Sequence, residues 1–126
     1  MSGAAFIAVA VGAVLGAWLR WGLGVWLNPA VAGLPLGTLV ANIGGGYAVG
    51  LAVAFFAATP AISPEWRLAV VTGFLGALTT FSTFSAESVQ LLQAAKYAAA
   101  ILHSSAHLFG SLLATALGFA SYRALA

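Results

Sequence analysis

Cysteine is absent, and with it disulfides and thiolate metal sites. Charge is nearly absent too. Asp, Glu, Lys and Arg make up 5% of the chain, and the formal net charge of +2 rests on too few residues to imply a nucleic-acid partner. No charged residue occurs from Met1 to Leu19, from Trp21 to Pro64, from Leu68 to Ala86 or from Tyr97 to Tyr122. A basic region is missing ahead of the first apolar run. Cutting after Ala8-Val9-Ala10 would leave that run too short to cross a bilayer, so MSGAAFIAVAVG is expected to stay as a helix. The marks of hydrolytic chemistry are missing as well: Ser104 stands where an HExxH motif starting at His103 needs its glutamate, and there is no nucleophile elbow and no phosphate-cradling glycine loop. These residues point away from an enzyme.

What remains is apolar. The 126 residues are 63% hydrophobic with a mean hydropathy of +1.08, outside the range of soluble domains. Crossing the hydrocarbon core of a bilayer takes about 20 helical residues. Four spans fit, near 4–27, 35–58, 66–94 and 98–123, with turns at Asn28-Pro29, Gly33 with Pro35, Thr59-Pro60 and Ser63-Pro64. The apolar period is helical and lacks the alternation of membrane β-strands, which are about 10 residues long. The reading is one all-α membrane domain of four transmembrane helices, with no room for a soluble domain.

Four spans place Arg67 and Arg123 on one side of the membrane and Arg20 and Lys96 on the other. Orientation normally follows an excess of Lys and Arg on cytoplasmic loops. A two-against-two division lets the chain insert either way up, which predicts an antiparallel, dual-topology homodimer in the lipid bilayer. Pairs of small residues at four-residue spacing (Gly12 with Gly16, Gly46 with Gly50, and Gly110, Ala114 and Gly118) predict closely packed helices, since small faces let helix backbones approach.

Polar groups in the spans are few and grouped. Hydroxyls can bond a carbonyl one turn back, but Asn42, Glu87, His103 and His107 cannot, so they should face the bundle interior or a water-filled path. Thr38 and Asn42 share a face of span 2; His103, His107, Ser111 and Thr115 share a face of span 4. Such stripes can hold helices together or line a conduit, and the amide, carboxylate and imidazoles favour the conduit. The His-xxx-His pair alone supplies too few ligands for a closed zinc site. In span 3, GFLGALTTFSTFSAE carries Gly73, Gly76, Thr79 and Thr80 at its centre, residue types that weaken a helix. An interruption near 76–80 is expected, and non-helical backbone at that depth survives only buried in protein or lining a cavity. Freed carbonyls suit a cation. Phe81 and Phe84, three residues apart, could turn their electropositive edges toward a small anion.

The motifs GFLGALTTFSTF at 73–84, GTLVANIGGGYAVG at 37–50 and GAWLR at 16–20 resemble the Fluc (CrcB) fluoride channels, whose patterns run GxxGGxTTFSTF, GTxxxNxxGxxxxG and GAxxR. The similarity spans nearly the whole chain. It implies a passive, fluoride-selective channel in the bacterial inner membrane that relieves the cytoplasm of fluoride. It further implies two pores per antiparallel homodimer and a structural sodium ion held by the main-chain carbonyls of Gly76 and Thr79 from each subunit. By the same resemblance Phe81 and Phe84 form an aromatic box, Asn42 donates an amide hydrogen bond in the pore and Arg20 lies at the vestibule. Thr38, Ser82, Thr83, Glu87 and Ser111 fall on a polar track. Three positions depart from the family pattern: Ala77 replaces a usual glycine, and His103 and His107 stand where hydroxyl-bearing or small residues are expected. Histidines lining the pore would make conduction respond to pH near neutrality. The rival readings are a small proton-coupled multidrug transporter, whose essential first-span glutamate is absent here, and a non-transporting membrane subunit.

Overall fold

Ser2 starts the first helix. Its hydroxyl accepts from the Ala5 N–H at 3.1 Å and caps α1 (Gly3–Leu27). Pro29 closes α1 with a single 3-10 turn over Asn28–Ala30, and the Asn28 side chain then accepts from the Gly37 N–H at 2.7 Å. Asn28 therefore closes α1 through its backbone N–H and satisfies an N–H in the first turn of α2 (Leu36–Ala58) through its side chain, across a loop in which Gly33 takes a positive φ of 83°. Pro64 opens α3 (64–78), where a missing N–H costs nothing. The computed structural model describes residues 1–126 and contains four helical spans long and apolar enough to cross a membrane, 64–93 being the third. The chain is an all-α protein of the multi-pass membrane type.

The third span is not a uniform α-helix. Residues Leu68–Leu75 form a π-helix, and an α-helical turn at Gly76–Leu78 follows. Thr79 (φ −83°, ψ 152°) and Thr80 (φ −153°, ψ 121°) are extended, and helical geometry resumes in α4 (Phe81–Gln93). Thr80 caps α4 by accepting from the Thr83 N–H at 3.1 Å. The turn after α4 places Ala95 at φ 58°, with the Lys96 N–H reaching back to the Leu91 carbonyl at 2.9 Å, and α5 (Tyr97–Leu125) completes the bundle.

Backbone contact holds the helices. A methyl group on Gly12 or Gly16 of α1 would collide with the carbonyls of Ala69 and Phe74 in the π-helical stretch of α3. On the other side of the bundle, α2 and α5 touch at Gly50 and Gly118. Between the two pairs lies a small core of Ala41, Leu75 and Leu78. Only 17 of 126 residues are buried and no large side chain is fully enclosed, so apolar burial within one copy cannot be the main source of cohesion. That is the pattern expected where lipid is the solvent and close packing, not water exclusion, joins helices.

Candidate functional site

The polar groups of three helices meet at the extended pair Thr79–Thr80. In an unbroken helix the Thr80 N–H would bond the carbonyl four residues back, that of Gly76. It donates instead to Asn42 Oδ1 at 2.7 Å, while Asn42 Nδ2 donates to the Thr80 carbonyl at 2.9 Å. A single amide on α2 thus takes over both main-chain groups of Thr80. The Thr83 N–H, likewise, leaves the Thr79 carbonyl for the Thr80 hydroxyl. The two carbonyls left without these ladder partners are those of Gly76 and Thr79. Between them, the Ala77 carbonyl accepts from Arg20 Nε at 3.0 Å, so α1 places a guanidinium at the C-terminal end of α3, where a positive charge is favourable.

Asn42 also orients a histidine. Because its Oδ1 faces an N–H donor, its Nδ2 is the atom 2.9 Å from His107 Nδ1, and that ring nitrogen is the acceptor. The proton of neutral His107 then sits on Nε2. Phe84 stacks on the same imidazole, with centroids 4.6 Å apart and planes 26° apart, and Phe81 meets Phe84 edge-on at 5.3 Å. Phe81 is 77% exposed, so its outer face is free in a single copy.

From His107 the polar groups continue one helical turn along α5. His103 packs edge-on against His107 at 4.4 Å, and its Nε2 lies 3.3 Å from Glu87 Oε1 on α4. Glu87 Oε2 accepts from the Thr38 hydroxyl at 2.6 Å. The series Thr38, Glu87, His103, His107, Asn42, Thr80 therefore crosses from α2 to α4 to α5 and back. Its members border two cavities. One, of about 530 Å³, is lined by Asn42, Thr80, Phe81, Phe84, His107 and Ser111 among others; the second, of about 430 Å³, by Glu87, Gln90, Asn28 and Lys96 among others.

The sequence-derived candidates divide by position. Asn42, Phe81, Phe84, His107 and Ser111 border the first cavity, together with Gly76 and Thr79; Glu87 borders the second; Thr38 and His103 are buried between them. Ser82 sits at the exposed start of α4, 3.3 Å from the Thr80 hydroxyl, and Thr83 enters through its main-chain N–H. Arg20 acts on the Ala77 carbonyl and lines neither cavity. Thr80 is the residue that sequence reasoning left out of the site, although it is the hinge of the arrangement. Its signal was a place among the helix-weakening residues at the centre of the third span, which did not mark it as a partner of Asn42.

The chain as a whole is similar to known proteins along most of its length. The chain matches the family described as "CrcB-like protein, Camphor Resistance (CrcB)" over residues 7–119. It is 60% identical over 121 residues to a protein of Cupriavidus metallidurans named "Fluoride-specific ion channel FluC", covering 96% of each chain. Proteins of the same name from Thiobacillus denitrificans and Pseudomonas putida are 58% identical (96% of this chain, 98% of that one) and 55% identical (92% and 91%).

Proposed function

We propose a function from one premise: the chain belongs to the CrcB-like (FluC) family. It is a passive, fluoride-selective ion channel of the bacterial inner membrane, built as an antiparallel homodimer with two pores and letting fluoride leave the cytoplasm. The observation that carries this reading is the continuous polar series from Thr38 to Thr80 that borders two cavities inside an otherwise apolar bundle.

Fluoride holds its water strongly, so a path for it must offer many modest donors and no fixed cation that would trap it. Hydroxyls of Ser82 and Ser111 and the ring edges of Phe81 and Phe84 are donors of that kind. Asn42 sets the shape of the path by fixing Thr80; both its amide hydrogens are engaged, by the Thr80 carbonyl and His107 Nδ1, so donating to a passing anion requires it to release one of them. Glu87 is the one group that would repel an anion, and both its oxygens have neighbours: the Thr38 hydroxyl on one side and His103 Nε2 at 3.3 Å on the other. A hydroxyl donor at one oxygen and an imidazole beside the other temper that repulsion.

A structural sodium between the two subunits belongs to the same proposal. Its ligands are the Gly76 and Thr79 carbonyls, the pair whose ladder N–H groups are diverted to Asn42 and to the Thr80 hydroxyl. Main-chain oxygens released at a break in a membrane helix are a recurrent sodium-binding arrangement. The extended Thr79–Thr80 backbone supports an interrupted third span.

Purified protein in liposomes tests the reading. Rapid, uncoupled fluoride efflux at a fluoride electrode, with a chloride control that stays flat, is the expected result. Proton-driven exchange of a cationic drug would make it a transporter, and silence a non-transporting subunit. In the same assay Phe81→Ile is expected to slow efflux by about two- to tenfold. An aromatic edge contributes about 0.5–1.5 kcal/mol, and each 1.36 kcal/mol is tenfold in rate. Unchanged efflux in that variant would remove Phe81 from the pathway.

A further inference from the structure

Three unsatisfied atoms converge midway along the polar series. Glu87 Oε1, His103 Nε2 and His107 Nε2 are buried and have no hydrogen-bond partner; the 3.3 Å approach of Glu87 to His103 is not aligned as a hydrogen bond. Both histidines are only 3% exposed. Leaving three buried polar atoms of one cluster unpaired is costly, and each such group calls for an explanation. One ligand atom from each of Glu87, His103 and His107 lies within 4.8 Å of the other two. In tetrahedral zinc sites with metal–ligand bonds of about 2.0–2.2 Å, neighbouring ligand atoms stand about 3.3 Å apart, which is the Glu87–His103 separation.

We infer that Glu87, His103 and His107 form a binding site for a first-row divalent cation, with zinc the best match, that plugs the path between the two cavities. Two imidazoles and one carboxylate with an open fourth position are a known zinc donor set, and imidazole together with carboxylate does not favour softer ions that prefer sulfur. The helical spacing of His103 and His107 alone gave two ligands. The third comes from α4, 16 residues earlier in sequence. The ion fills the gap between Glu87 Oε1 and His103 Nε2, which no hydrogen bond closes. At His107 it requires the ring proton on Nδ1, so the bond from Asn42 Nδ2 is given up in exchange for a metal bond at Nε2. Binding therefore loosens the amide that fixes Thr80 as well as filling the path. Access is from either side, because Glu87 borders one cavity and His107 the other.

The test is independent of fluoride flux. Untagged wild-type protein in detergent is titrated with Co²⁺ and then with Zn²⁺. One equivalent per chain is expected to give the strong visible bands of four-coordinate cobalt, which zinc abolishes. His103→Gln, His107→Gln and Glu87→Gln should each weaken binding by about 100-fold or more, at the top of or beyond the 10- to 100-fold that outer-shell changes cost. No saturable equivalent in the wild type, or wild-type affinity in all three variants, overturns the site. Should a variant lose its elution profile, X-ray absorption on the zinc-loaded wild type decides. The chain has only two histidines and no cysteine, so a shell of two imidazoles with oxygen supports the site and any other nitrogen count overturns it. Block of fluoride efflux by zinc, relieved by a chelator, would then show that the ion lies on the path; zinc bound at this shell without block leaves the metal site standing and moves the path elsewhere.

Discussion

Replacing Asn42 with aspartate is expected to reduce fluoride efflux about 100-fold while the protein still elutes as the wild type does. Aspartate keeps an acceptor for the Thr80 N–H but has no hydrogen to give. The Thr80 carbonyl and His107 Nδ1, now 2.9 Å from donors, would face a carboxylate oxygen that repels them. Each buried group left without its donor costs about 1–3 kcal/mol, and two such losses correspond to roughly 100-fold when they fall on the barrier to passage. A negative charge beside the path works in the same direction. The measurement is efflux from liposomes at matched protein density. Wild-type rates would mean that neither the Thr80 conformation nor the His107 tautomer matters to conduction.

The second large effect concerns assembly. A side chain at Gly50 would strike the Thr115 carbonyl and lie 2.9 Å from the Phe119 nitrogen and 3.0 Å from the Gly118 Cα, all of them backbone atoms of α5. Backbone cannot step aside as a flexible side chain can, so Gly50→Val forces α2 and α5 apart. Overpacking a tolerant core costs about 1–3 kcal/mol, and here the loss should be at the upper end or above it. The temperature at which the monodisperse peak is half lost is expected to fall by about 10 °C or more. Gly44→Ala is the control, because a methyl group there meets nothing within 4 Å. Equal thermal loss in the two variants would show that the α2–α5 contact contributes little to stability.

Much of this was readable beforehand, and what was not has a common cause. Charge-free runs and Pro-marked turns announced helical spans, since both are local properties of the chain. Asn42, Glu87, His103 and His107 stood out as groups that cannot hide in a membrane helix. Their partners did not. Arg20 finds Ala77 across 57 positions and Thr38 finds Glu87 across 49, and no spacing rule reaches that far. The π-helical stretch Leu68–Leu75 was equally silent: LAVVTGFL contains no proline, and the two-glycine face of α1 against which it packs is more than 50 residues earlier. Two adjacent threonines of the same propensity could not reveal that Thr80, not Thr79, is the one gripped by the amide. The pairing of Asn42 with Thr80 is a tertiary contact, and no local property of the two threonines encodes it.

The end of α3 bears on ion valence. The oxygens there belong to peptide groups and carry only partial charges, no acidic side chain lines the adjoining cavity, and Arg20 Nε already donates to the Ala77 carbonyl. A doubly charged ion would find too little negative potential in such a cup to surrender its hydration shell. A singly charged ion asks for no more than dipoles can give, so the proposed sodium site would owe any preference for valence to the missing carboxylate as much as to the oxygens present.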